Sequence, residues 1–287
     1  MRARGRRYPG YPKVFVLRRR SHPGTMLWAF ILGLLGSYFA MAWTYDPAFR
    51  RKAQNLVKKV VAVPSQTLSP IEGKARQSKS ARSRFQKIRR NIQKTRPPII
   101  MLGDSITRGF SFTGGLWQKV MAKQGALNAG IGADRIEHIL YRVQNDQFAG
   151  HEPEVVVLLA GANNLLSDSS KQIVRGMGHL VEEIHRTSPS SQILLLGVFP
   201  EGLNPADARR AKIKGVNRSL QKLESRSYVT YADIGDFLLD ERGVLTKQVS
   251  YDGIHLTGRG YVRWSKSMAP YLKKARKAYQ RRQGRRS

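Results

Sequence analysis

The sequence predicts an α/β fold built on a parallel sheet of about five strands, with helices covering both faces. Three observations predict it. Short apolar runs of strand length recur from residue 99 onward. Amphipathic stretches of helical length separate them. Segments rich in Gly, Ser and Asn directly follow three of the apolar runs. A chain of 287 residues accommodates one such domain together with extended tails.

Residues 1–25 carry eight Lys/Arg and no acid. The uncharged run 26–43, MLWAFILGLLGSYFAMAW, comes next. At about 1.5 Å per residue it makes roughly 27 Å of helix, enough to cross a bilayer core. Trp28, Trp43 and Tyr45 lie near its ends, as interfacial aromatics do. Segment 26–45 is therefore expected to be a transmembrane anchor. The alternative is a signal segment cut near Ala42, because Ala40-Met41-Ala42 has the small-residue cleavage pattern. The excess of cations before the run favours a membrane-anchored chain with its larger C-terminal part outside the cytoplasm, periplasmic or extracellular. The cleaved alternative is secreted.

Residues 46–98 hold fifteen Lys/Arg against Asp46 and Glu72, with Pro64, Pro70, Pro97 and Pro98 and no sustained apolar period. They are expected to form a disordered basic tether that buries no core, with room for a short helix around 81–94. Strands are expected at 99–102, 126–128, 155–160, 193–198 and 228–231. Helices are expected at 116–123, 133–143, 170–186, 206–223 and from 258 to about 278. The domain is thus placed at 99–272, and residues 273–287 form a second basic tail. Residues 99–270 are nearly neutral, so the formal charge of +32 resides almost entirely in the tails. Such tails suit anionic lipid or an envelope polyanion. Nucleic acid is disfavoured, because within residues 46–98 and 273–287 only Phe49, Phe85 and Tyr279 interleave the cations for base stacking. Without cysteine, thiolate chemistry and Cys-ligated metals are excluded.

The candidate chemistry lies beyond the C-terminal ends of the strands, where open α/β sheets bind ligands. Gly103-Asp104-Ser105 follows the first strand. It places a serine on a tight strand-to-helix turn, with its own N–H beside a helix N-terminus, and this equally fits a simple N-cap. Asn128-Ala129-Gly130 follows the second strand and Gly161-Ala162-Asn163-Asn164 the third. A glycine N–H and an Asn amide are donors that can face an oxyanion. Asp252 and His255, in YDGIHL, are spaced so that one turn presents both, with the Asp on Nδ1 and Nε2 free. His22, His138, His151, His179 and His185 read as surface or core residues. The aromatics Phe110, Phe112, Trp117 and Phe199 are candidates for a pocket lining, although aromatics near a site are more often core.

Taken in order, these four segments resemble the signature blocks of the SGNH (GDSL-like) hydrolase superfamily, over about residues 99–272. NAGIGADRIEHILYRV, GANN, GVFPEGLNP and YDGIHLTGRGY are similar to the platelet-activating-factor acetylhydrolase catalytic-subunit branch. The resemblance implies a flavodoxin-like three-layer αβα sandwich and a metal-free, cofactor-free serine site. It implies Ser105 as nucleophile, His255 as general base and Asp252 as its orienting acid. The Ser105 and Gly130 N–H groups and the Asn163 amide are the implied oxyanion donors. Many superfamily members carry Asp where this chain has Asn164; the acetylhydrolase-like branch tolerates the change. Asp104 is read as structural, satisfying turn N–H groups. The expected activity is hydrolysis of a short acyl ester, a deacetylation, on an envelope glycan or lipid. The alternatives are an O-acetyltransferase using the same triad and a non-catalytic polyanion-binding module.

Overall fold

The computed structural model describes residues 71–284. The expected anchor or signal segment 26–45, the tail 1–25 and residues 46–70 of the expected tether lie outside the described residues. Among the described residues, no helix is long and apolar enough to cross a membrane.

The first element is a helix, α1 (Lys79–Thr95), opened by Ser78, whose hydroxyl accepts the Ala81 N–H. It corrects the reading of residues 46–98 as a tether without a core. Ala81, Phe85, Ile88 and Ile92 follow one another at helical spacing and are buried against the sheet. The surrounding Lys and Arg residues project from the other sides, and they are what made the segment look disordered.

Five parallel strands follow: β1 (Ile99–Gly103), β2 (Ala126–Gly130), β3 (Val155–Leu159), β4 (Gln192–Leu196) and β5 (Val229–Ala232). Their order in the sheet is β2-β1-β3-β4-β5, the flavodoxin-like arrangement, whose switch point lies between β1 and β3. Gly103 is in register with Gly130 on one side and Leu159 on the other. The three segments singled out after these strands therefore emerge along one edge of the sheet.

The period-2 alternation divides each strand between two cores. Ile100, Leu102, Val156, Leu158, Ile193 and Leu195 face one side. There they meet α1, α4 (Ile136–Gln144), α5 (Ser170–Thr187) and α6 (Ala208–Leu220). Met101, Val157, Leu194 and Leu196 face the other side. There they meet α2 (Ser105–Gly109), α3 (Leu116–Val120) and the long C-terminal helix α7 (Gly258–Gln283). The result is the three-layer sandwich that the resemblance implied.

The C-terminal boundary is also corrected. Helix α7 runs well past residue 272. Ala275 is buried, Arg276 pairs with Glu154 at 2.9 Å, and Arg282 donates to the carbonyls of Pro189 and Ser191. The expected tail 273–287 is therefore folded through Gln283. Its charges hid this, because they lie on a helix whose apolar positions are widely spaced. Helix α4 begins at Ile136 rather than at residue 133, because Ala133 takes the left-handed conformation (φ 59°) that interrupts a helix.

Candidate active site

The turn from β1 into α2 is fixed by Asp104, whose Oδ1 accepts the Ile106 N–H at 2.9 Å and caps the helix. Ser105 is the first residue of α2, where backbone N–H groups lack intrahelical acceptors. The Tyr261 hydroxyl, from α7, donates to the Ile106 carbonyl at 2.8 Å and ties this turn to the far end of the chain.

Asp252 and His255 sit on the loop that precedes α7. Ser250 organises it: its Oγ donates to the His255 carbonyl at 2.8 Å and accepts the Gly253 N–H at 3.0 Å. Gly253 takes φ 84°, a conformation that favours glycine. The Gly253 carbonyl accepts the Gly202 N–H at 2.8 Å, so the 199–205 loop braces the turn.

Ser105, His255 and Asp252 come together across 150 positions of sequence. Ser105 Oγ lies 3.0 Å from His255 Nε2, and His255 Nδ1 lies 2.7 Å from Asp252 Oδ2. The other oxygen, Oδ1, accepts the N–H groups of Ile254 (2.9 Å) and His255 (2.7 Å). Partial burial, the largest single effect, pushes the Asp252 carboxyl up. The bonds from the His255 ring and from the two backbone N–H groups outweigh it and hold the carboxyl below its ordinary range. The arrangement can polarise a serine hydroxyl, with the imidazole held in one orientation.

Gly130 and Asn163 stand at the same sheet edge, each engaged within the protein. The Gly130 N–H donates to Asn128 Oδ1 at 3.0 Å, and Asn128 Nδ2 is anchored on the Thr107 carbonyl. A Cβ on Gly130 would meet the Arg108 N at 2.3 Å, so only glycine lets β2 approach α2 this closely. Asn163 Nδ2 donates to the Asp134 carbonyl at 2.9 Å and, at a longer 3.3 Å, to Asp104 Oδ2.

Asp104 is structural in the sense expected, and it is also electrostatically unusual. Burial raises its carboxyl to about 7, with the Asp134 and Glu201 charges adding to the effect while the Ile106 N–H and His255 oppose it. Glu201 is likewise raised by burial, against the pull of Arg209 at 2.9 Å.

The Asn164 substitution has a clear physical account. Its amide donates to Glu137 Oε2 (3.0 Å) and Asp168 Oδ2 (2.6 Å), and its Oδ1 accepts the Ile136 N–H (3.0 Å). Arg135 closes the cluster on Glu137 and Asp168. An Asp in this place would face two carboxylates already present.

Several supporting residues escaped the sequence reading. Arg84 of α1 donates to the carbonyls of Gly130 (2.6 Å) and Asn128 (3.3 Å). Buried Arg142 donates to the carbonyls of Ala129 and Gly103 and pairs with Asp134 at 3.0 Å. The one signal for Arg142 was a charge on the apolar face of α4, one residue before Val143. Of the remaining histidines described, His151 is buried and bonded to the Pro97 carbonyl. His138 accepts the Arg135 N–H, and burial lowers its imidazole to about 4. Phe110, Trp117 and Phe199 belong to the core, whereas Phe112 is exposed at the mouth of the cleft beside Ser105.

A parallel sheet in this strand order, with a serine poised at its switch point, defines a carboxylic ester hydrolase of the SGNH superfamily. The chain belongs to the GDSL-like lipase/acylhydrolase family, whose model matches residues 101–263. It is 29% identical over 173 residues to platelet-activating factor acetylhydrolase IB subunit alpha2 of Rattus norvegicus, covering 60% of this chain and 74% of that protein. It is 28% identical over 168 residues to the alpha1 subunit of Mus musculus, covering 58% and 70%. In fold it is similar to a GDSL-like lipase from Bacteroides thetaiotaomicron (TM-score 0.55, 18% identity, 67% of this chain and 99% of that one). It is similar also to a lipolytic G-D-S-L protein from Veillonella parvula (TM-score 0.51, 18% identity, 60% and 96%).

Proposed function

We propose that the chain removes a short acyl group, acetyl above all, from an ester on an envelope glycan or lipid, through a Ser105 acyl-enzyme. The observation that carries this is the continuous contact from Ser105 Oγ to His255 Nε2 and from His255 Nδ1 to Asp252. Ser105 Oγ attacks the carbonyl carbon as His255 Nε2 takes its proton, and Asp252 holds the ring and steadies the imidazolium. His255 then returns the proton to the departing alcohol oxygen. A water molecule, deprotonated by the same nitrogen, releases the acid. Charge on the carbonyl oxygen is met by the Ser105 and Gly130 N–H groups and the Asn163 amide, the latter two exchanging an internal acceptor for the oxyanion. The acetylhydrolase names of the relatives support the acetyl group.

The uncharged run 26–43 and its basic flanks support membrane attachment with the hydrolase domain outside the cytoplasm, and the cationic segments support an anionic surface as its neighbour. The test assays the full-length chain, beside Ser105→Ala, against p-nitrophenyl esters of increasing acyl length. Turnover should be greatest at acetyl and fall with chain length, and Ser105→Ala should lose about 10⁴–10⁶ in kcat while keeping its circular dichroism. A folded Ser105→Ala protein of undiminished activity would overturn the mechanism, and a preference for long chains would overturn the acetyl assignment. Cofloating of the full-length chain with anionic liposomes should persist at high salt if the run 26–43 is inserted, whereas cofloating of a chain that begins at residue 46 should be lost steeply as salt rises if its cations hold the anionic surface.

A further inference from the structure

We propose that Arg108 makes the cleft selective for esters whose alcohol portion carries an anion, a carboxylate or a phosphate, near the scissile bond. This rests on the reading of Ser105 as the attacking group and adds the class of alcohol it serves. Ser105 and Arg108 lie three residues apart on α2. Side chains at that spacing project from one helix face with Cβ atoms about 5–6 Å apart. Both line one open cleft of about 590 Å³ together with Phe112, Gly132, Tyr251 and His255. Among the described residues, no carboxylate lines this cleft, and Arg108 is its single cationic side chain.

The surroundings leave the guanidinium available. Its carbon sits 5.7 Å from the centroid of the Phe112 ring, which covers one face and leaves the N–H edges free. A Cβ on Gly132 would stand 3.7 Å from Arg108 Nη1, an ordinary van der Waals distance, so the guanidinium lies alongside this glycine. The neighbouring arginines are committed elsewhere: Arg84 to the Gly130 and Asn128 carbonyls, Arg142 to Asp134. Arg84 nonetheless adds its positive charge to that of Arg108. Exposed Tyr251, its ring 5.9 Å from that of His255 in a stacked orientation, provides an aromatic wall for the body of the alcohol. A planar fork facing a cleft without acids suits a carboxylate or phosphate, which it can hold through paired N–H bonds.

The test compares kcat/KM for 4-acetoxybenzoate and 4-acetoxyphenyl phosphate with that for the neutral methyl 4-acetoxybenzoate, using the full-length chain. The quantity read is the anionic-to-neutral ratio in each variant, so intrinsic ester reactivity cancels. Arg108→Gln should lower the ratio about tenfold, Arg108→Lys should retain part of it, and Arg108→Glu should lower it further. The carboxylate and phosphate arms show which anion the fork prefers. In the wild type the ratio should also fall as ionic strength rises. A ratio unchanged in Arg108→Gln, or one insensitive to salt in the wild type, overturns the selectivity and leaves the serine hydrolase standing. A wild-type protein inert toward all three esters overturns the hydrolase reading and the selectivity together.

Discussion

Arg84 Nε donates to the carbonyl of Gly130 at 2.6 Å, joining a helix that precedes the matched family region to the loop that carries a proposed oxyanion donor. A second bond, to the Asn128 carbonyl at 3.3 Å, grips the same strand end. The Gly130 carbonyl belongs to the peptide after the Gly130 N–H, so the bond sets the tilt of the backbone on both sides of that residue. Arg84 is thus a positioning residue. Arg84→Ala should lower kcat by about tenfold with little change in KM, the pattern of an interaction felt only in the transition state. Arg84→Lys should recover part of the loss. A change confined to KM, or to thermal stability, would argue against positioning.

Asn163 presents its amide beside the serine turn, bonded to the Asp134 carbonyl and, more loosely, to Asp104. Asn163→Ala should slow acylation by about 10²–10³ while leaving KM nearly unchanged. Stopped-flow measurement of the acylation step with an activated acetyl ester separates the two.

The buried Asp104 predicts a pH dependence of stability. Its folded carboxyl is raised by burial from 3.8 to about 7, so between those limits the folded protein holds a proton that the unfolded chain has released. Stability from this group therefore falls as pH rises through that window and levels off above it. Asp104→Asn removes the effect. The melting temperature of the variant, relative to wild type, should climb from pH 4 to pH 7 and then become constant. A difference independent of pH would contradict the buried, protonated carboxyl.

Restoring the acid common at position 164 should do harm in this chain. Asn164→Asp replaces two amide donors with a third carboxylate against Glu137 and Asp168. A buried charge without a partner costs about 3 kcal/mol, or roughly 6–12 °C of melting temperature in a domain of this size. The loss should shrink at low pH, as the carboxylates become protonated. Differential scanning calorimetry at two pH values checks both parts.

What the sequence revealed depended on where each residue finds its partners. The strands were legible because a parallel strand buried on both faces reads as a continuous apolar run, and Val155–Leu159 is buried at every position. Ser105, Asp252 and His255 were legible because each lies in a short local motif. Helix α1 was anticipated around 81–94, but its place in the core was not, because Phe85, Ile88 and Ile92 are separated by Lys and Arg that reach solvent from the same helix. The partners of Arg84, Arg142 and Asn164 were hidden for a different reason. The roles of these residues come from carbonyls and carboxylates on other segments, which no local pattern announces.

The placement of the reacting groups at opposite ends of the folded unit has a further consequence. A chain that stops before Ser250 contains every strand of the sheet and the serine turn, yet lacks both the imidazole and the tyrosine that steadies that turn. If the proposed triad is the reacting group, truncated or interrupted copies should be inert toward esters however much of their sheet they assemble.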